Sequence, residues 1–298
     1  MKILVHNRSI VKAGFDPYHR QYKRIYSAEE TKSGADYDNE FDDIDDISLP
    51  DDVDEAFDML VDMLRKQSFE DLGDALEDIV NDDKLYALLS EGFGDGELAN
   101  VKMSSESTGI PVVQLLPSQS EIGLDNSLNY PLSMDCTSYF NDIVKIVAPV
   151  ITYRKTFIID GHHRWSQLYM INPKAKIAAI NFNYDQVSPY RALRNFQGAV
   201  AVANKKVPKS FNKVNNVYDM SDSAIEQYVD EHITDACWKS LVKVGVCEDR
   251  DSAIDYILDN IDTLKYDNPP FANAPEREFM PQTDEKSIKI AEEGQTNI

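Results

Sequence analysis

The stretch TFIIDGHHRW, residues 156–165, sets a glycine, two adjacent histidines and an arginine directly behind a short apolar run. Residues of these types can hold an anion, ligate a metal or simply turn the chain. Asp160-Gly161-His162-His163-Arg164 reads as the junction of a strand with a helix. Glycine at such a junction lets the backbone approach a ligand closely. The helix start offers N–H groups and the positive end of its dipole. Imidazoles and a guanidinium on that first turn add donors suited to phosphate oxygens. A shared metal is the poorer fit, because adjacent histidines project from different sides of a helix. His6, His19 and His232 show no ligand spacing to the pair, so no zinc site is expected. The pattern favours an anion cradle over a structural turn or a metal pair.

The elements that must position this motif follow from its flanks. Val150–Tyr153 and Lys155–Ile159 read as strands, and Gly161 breaks the second of them. Trp165, Leu168, Tyr169 and Ile171 then give a helix its apolar face, which Asn172-Pro173 ends. Ile177–Phe182 is a further strand, and Pro111–Pro117 is a short one bounded by prolines. A helix is expected between Ser133 and Val150, ending near Pro149. Ser188-Pro189 opens a helix that carries Arg191, Arg194 and the small-residue run Gly198–Ala203. Strands alternating with short helices suggest a compact α/β or α+β unit, and the fold class expected is α+β: a small mixed core with helical extensions on both sides. The expected organisation is a basic arm and acidic linker over residues 1–50 and an acidic helical subdomain over 51–100. The core follows over 101–210, a C-terminal helical subdomain over 211–265 and a flexible tail over 266–298.

Charge is distributed unevenly along the 298 residues, whose net formal charge is −22. Residues 151–215 hold eleven Lys and Arg against two acids, while 28–100 hold four against 25 and 216–298 hold seven against 19. A basic island that contains the histidine motif is therefore set between acidic flanks. Within it Arg154, Lys155, Lys174, Lys176, Arg191 and Arg194 are candidate contacts to a nucleic-acid backbone, the alternative being a solvated charged face. Cys136, Cys237 and Cys247 are odd in number without CxxC spacing, which suits reduced thiols in a cytosol-like compartment. No apolar run approaches the ~18–20 residues of a membrane span. Met1–Val5 runs straight into His6, Asn7 and Arg8 rather than a signal peptide's apolar core. A cytoplasmic protein without membrane partners is expected.

The segment TFIIDGHHRWSQLYMINPKAKIAAINFNY resembles the core of the ParB/sulfiredoxin-like superfamily, in particular the branch with a DGHHR motif. That branch includes free-serine kinases and phage proteins described as ParB-like nucleases. PVVQLLPSQSEIGLDNSL, residues 111–128, resembles the strand and loop upstream of the motif in such proteins, so the likeness spans residues 108–200. The resemblance implies that Gly161, His162, His163 and Arg164 contact nucleotide phosphates. It implies that Asp160 is a catalytic or magnesium-associated carboxylate, the alternative being a helix cap. Mg²⁺ with ATP, ADP or CTP is the implied cofactor set, and phage origin implies the host cytoplasm or the virion.

Departures from the family narrow the activity. Sulfiredoxins carry a reactive cysteine where His162 stands, and the arginine-rich box and basic helix-turn-helix of chromosome-partition ParB proteins are not visible. Free-serine kinases place a glutamate base two positions after the proline of the upstream loop. Pro117-Ser118-Gln119 puts an amide there, which cannot accept a hydroxyl proton as a general base. Glu121 substitutes if the loop is re-registered, and is otherwise a solvent-facing loop acid. Three functions follow as expectations. The first is a nucleotide-binding phosphotransferase or phosphohydrolase. The second is a nucleic-acid-binding nuclease. The third is a non-enzymatic phage accessory or virion-associated protein that binds other phage proteins.

Overall fold

The computed structural model describes residues 50–91, 103–183, 188–207, 215–271 and 273–294. The basic arm and acidic linker lie outside these residues apart from Pro50. Among the described residues ten helices and six strands form a mixed α+β fold.

The sheet runs in the order β1 (Ser104–Pro111), β6 (Lys176–Asn183), β4 (Val150–Tyr153), β5 (Phe157–Asp160) and β2 (Leu116–Pro117). The pairs β1/β6 and β4/β5 are antiparallel, while β4/β6 and β2/β5 are parallel. β3 (Ile143–Val144) pairs with Lys176 and Ile177, ahead of β4 on β6. Since β5 and β2 are parallel, the loops leaving their carboxyl ends emerge side by side. The first leads into α5 (His162–Ile171) and the second into α4 (Leu124–Leu132). That juxtaposition builds the candidate site.

The β4–β5 hairpin turns on Arg154 (φ 53°) and Lys155 (φ 54°), with Thr156 N donating to Tyr153 O at 3.1 Å. Two left-handed central residues are what a type I′ turn demands, a place usually taken by Asn-Gly. Neighbouring β6 compensates. Lys155 N donates to Asn181 Oδ1 at 2.6 Å and Arg154 N to Phe182 O at 2.8 Å.

Along β6 the side chains alternate between faces. Ile177 and Ala179 join Trp165, Leu168 and Tyr169 of α5 in the largest buried cluster. Phe182, an odd number of residues on, meets Phe196 of α6 (Pro189–Asn204) edge-on with centroids 4.9 Å apart. α1 (Val53–Lys66), α2 (Phe69–Asn81) and α3 (Asp83–Glu91) pack around Ala201 and Val202 of α6 as a second cluster. The small-residue run thus lets other helices approach the α6 backbone closely. Arg194 fastens this layer, donating to Arg65 O and to Gln67 O (2.7 Å) at the end of α1.

Three expectations need correction. The helix expected over Ser133–Val150 is a 3₁₀ turn at Thr137–Phe140 followed by β3. Asp135 Oδ1 takes the Thr137 N–H at 2.7 Å, a local bond that competes with helix formation. The C-terminal helices α7 (Asp222–His232), α8 (Asp235–Lys243) and α9 (Arg250–Asp267) share the core of the sheet instead of standing apart. Ile225, Leu241, Ile257 and Ile261 lie in the same cluster as Trp165, and Tyr169 Oη donates to Asn268 Oδ1 at 2.9 Å. Lastly, much of the segment expected to be a tail is built into the fold. A 3₁₀ turn at Arg277–Phe279 is followed by α10 (Glu285–Glu293), which packs along α6 and opens with a capping box between Asp284 and Ser287.

Candidate functional site

Gly161 begins α5 in the left-handed region at φ 97°, and the first intrahelical bond closes from Trp165 N to Gly161 O at 3.0 Å. The backbone N–H groups of His162, His163 and Arg164 therefore precede the helical ladder, as those of any helix start do. α5 is anchored below by Trp165, which is fully buried and donates from Nε1 to Val112 O at 2.8 Å. The strand-glycine-helix junction read from the sequence is thus present.

The two imidazoles have a task the sequence did not reveal. His162 Nε2 accepts from Ser118 N at 3.1 Å, and His163 Nε2 accepts from Gly123 N at 3.2 Å. Each ring is held neutral with its proton on Nδ1, an assignment that follows from these bonds. Burial pushes His162 well below the ordinary histidine range, and the nearby His163 ring and Arg164 guanidinium further disfavour its protonation. Burial, with the charge of Arg277, lowers His163 to about 4. The pair pins the 118–123 loop to the first turn of α5. Ser118 Oγ completes the tie by donating to Ile158 O.

Arg164 folds back over the turn. Nη1 donates to Ala148 O at 2.9 Å and Pro149 O at 2.7 Å, and Nη2 reaches Asp160 Oδ2 at 3.4 Å. Asp160 is not a helix cap. The same Oδ2 accepts from Thr283 Oγ1 at 2.6 Å and Thr283 N at 3.3 Å.

These residues border a cavity of about 350 Å³. The turn from Asp160 to Arg164 and Gln119 form part of its wall, and Arg277 with Met280 to Thr283 form the rest. Sequence reading missed this second part by treating the segment as a tail. The signal present was Asp284-Glu-Lys-Ser287 followed by Ile288 and Ile290, a helix start with apolar spacing. Burial lowers the Arg277 guanidinium from its usual range, while the charge of Glu121 acts in the opposite sense.

Glu121 does not line the cavity. Its Oε2 accepts from Arg277 N at 3.2 Å, which ties the 118–123 loop to the Arg277 segment. Gln119 does line the cavity, is buried, and spends its Nε2 on Glu121 O. Asp160 is therefore the carboxylate among the described lining residues.

The other basic candidates do not gather here. Arg154 and Lys155 turn the hairpin at the opposite end of β5 from Gly161, and Lys155 Nζ pairs with Glu106 at 3.0 Å. Lys174 lies in the turn ahead of β6 and Lys176 begins that strand, facing Asp142 at 3.9 Å. Arg191 and Arg194 lie on α6, the latter tied to the end of α1. These six described residues are spread over the β4–β5 hairpin, the approach to β6 and α6.

Among the described residues no cluster of three or more His, Cys, Asp or Glu could hold a metal, and no helix is long and apolar enough to cross a membrane. Mg²⁺ carried by a nucleotide asks less of the protein, since one or two carboxylates beside the phosphates suffice. Asp160 fits that demand. Fold and site together define an α+β protein with a cationic cleft at a strand-glycine-helix junction. Compared with protein-family models, curated proteins and solved structures, the chain finds no match.

Proposed function

We propose that this chain is a ParB/sulfiredoxin-like protein that binds a nucleotide or a related phosphate compound at the Gly161 turn. The observation that carries the reading is the cavity of about 350 Å³, whose wall combines Arg164, Arg277 and the first turn of α5 with a single described carboxylate. In a chain of net charge −22, two guanidiniums beside a helix N-terminus make a local seat for an anion. His162 and His163 support this seat by shaping the 118–123 loop. Phosphate oxygens would meet the backbone N–H groups of the turn and the guanidiniums. Asp160 would accept a proton in phosphoryl transfer or hydrolysis, or stand beside nucleotide-borne Mg²⁺.

Calorimetric titration with inorganic phosphate, ATP, ADP and CTP, each with and without Mg²⁺, tests the reading. Saturable binding of at least one is expected. Arg277→Ala should weaken it by about 10- to 100-fold, the effect of losing a hydrogen-bonded charge pair. Absence of binding by all four compounds would remove the proposal.

A further inference from the structure

The cavity already holds a hydroxyl against its carboxylate. Thr283 Oγ1 donates to Asp160 Oδ2 at 2.6 Å, and both residues line the same space as Arg164 and Arg277. A kinase-type acceptor needs this arrangement: a hydroxyl bonded to a carboxylate, beside cations that take the transferring phosphoryl group.

Thr283 is also held in place from both directions along the chain. Upstream, Ser120 N donates to Pro275 O at 2.9 Å and Arg277 N to Glu121 Oε2 at 3.2 Å. Downstream, Asp284 caps α10, and that helix packs along α6. A hydroxyl on a strap fixed at both ends has surrendered most of its orientational freedom, which favours reaction within the chain.

We propose that Thr283 accepts a phosphoryl group in cis from a nucleoside triphosphate bound in this cavity, an inference that rests on the nucleotide-binding reading above. Thr283 Oγ1 forms a bond to the γ-phosphorus as the bond from that phosphorus to the β,γ-bridging oxygen breaks. The hydroxyl proton passes to Asp160 Oδ2, and the nucleoside diphosphate leaves. The product is a phosphothreonine whose charge repels Asp160, so the bond between them is lost and the strap must re-seat.

The full chain incubated with Mg²⁺ and ATP labelled in its γ-phosphate tests this, with the modified residue located by peptide mass spectrometry. ATP affinity is measured on the same preparations. One phosphoryl group should appear on Thr283, at a first-order rate independent of protein concentration. Thr283→Ser should keep the label and Thr283→Val should lose it, each while binding ATP. Asp160→Asn should slow labelling by about 10²- to 10⁴-fold, the range for loss of a general base. Bound ATP with Thr283 left unmodified, label on another residue instead, or a rate that rises with protein concentration overturns the inference and leaves nucleotide binding standing. No ATP binding by the unaltered chain removes the reading beneath it, and the inference with it.

Discussion

Lowering the pH from 7 to about 4 is expected to cost the fold about 3 kcal/mol through His163 alone, whose pKa burial holds near 4 against 6.5 when solvated. The direction follows from proton counting. Between pH 6.5 and 4 the unfolded chain carries a proton on this ring and the folded chain does not, so stability rises with pH across that window. The contribution is complete above 6.5 and is lost progressively as the pH falls through the folded value. His162 is depressed in the same sense, again by burial, and adds to the loss as the pH falls. Structure supplies the reason: protonating either Nε2 would set a donor against the donor N–H of Ser118 or Gly123. Urea unfolding at half-unit steps from pH 7 to 5 isolates the effect, because ordinary carboxylates remain ionised there. A slope of about 1.4 kcal/mol per pH unit per histidine is expected well inside the window. His163→Asn, whose amide oxygen is a non-titrating acceptor, should flatten part of it. A stability that does not change between pH 6.5 and 5 would show that neither ring is held neutral.

The motif at the centre of the site was legible because its physics is local. Asp160-Gly161 after an apolar strand and before Trp165, Leu168 and Tyr169 predicts a strand-glycine-helix turn, which the fold contains. The same holds for α6, where Ser188-Pro189 marks the helix start and Ser188 Oγ accepts from Arg191 N at 3.2 Å. Failures fall where local preference is weak or non-local bonds decide. Thr137–Val144 has apolar content enough for a helix, yet its Asp135 turn and its pairing with β6 win. Arg154-Lys155 carries no hairpin signature, and its turn is held by Asn181 from a strand 26 residues away.

The site itself was half legible. The sequence located the turn but did not reveal that Nε2 of each histidine accepts from the 118–123 loop, while both residues also line the cavity. Nothing in HHR distinguishes a donor to phosphate from an acceptor of a backbone N–H. That choice depends on where a loop some 40 residues upstream comes to rest. Arg277 and Thr283 were missed for a similar reason. Proline-rich composition from Pro269 to Pro281 signals a chain without regular structure, which is correct for most of that stretch. It does not signal a chain without partners. It hydrogen-bonds to Ser120 and Glu121 of the upstream loop and to the Gln197 side chain of α6. The Thr283 hydroxyl beyond it goes to Asp160.

Gly161→Ala should damage both halves of the site at once. A Cβ there would lie 2.8 Å from Val150 Cγ1 and 2.8 Å from Arg164 Nη2, on a backbone at φ 97°. Val150 is fully buried at the start of β4 and has nowhere to retreat. Arg164 can move, but only by giving up Ala148 O, Pro149 O and Asp160. The left-handed backbone costs an alanine about 1–2 kcal/mol and the overpacking about 1–3 more, so a loss of about 3 kcal/mol is expected. Phosphate or ATP affinity should fall by about 10-fold or more, since the displaced guanidinium is one of the two cations in the cavity. Gly73 provides the contrast. It lies inside α2, where a new Cβ would meet its nearest atom, Phe279 Cδ1, at 3.8 Å. Gly73→Ala should therefore stabilise the protein by about 0.5–1 kcal/mol, with no change in affinity. Paired urea midpoints and phosphate titrations on the two variants decide the matter. If Gly161→Ala behaved like Gly73→Ala, the turn would be neither tightly packed nor the seat of the anion.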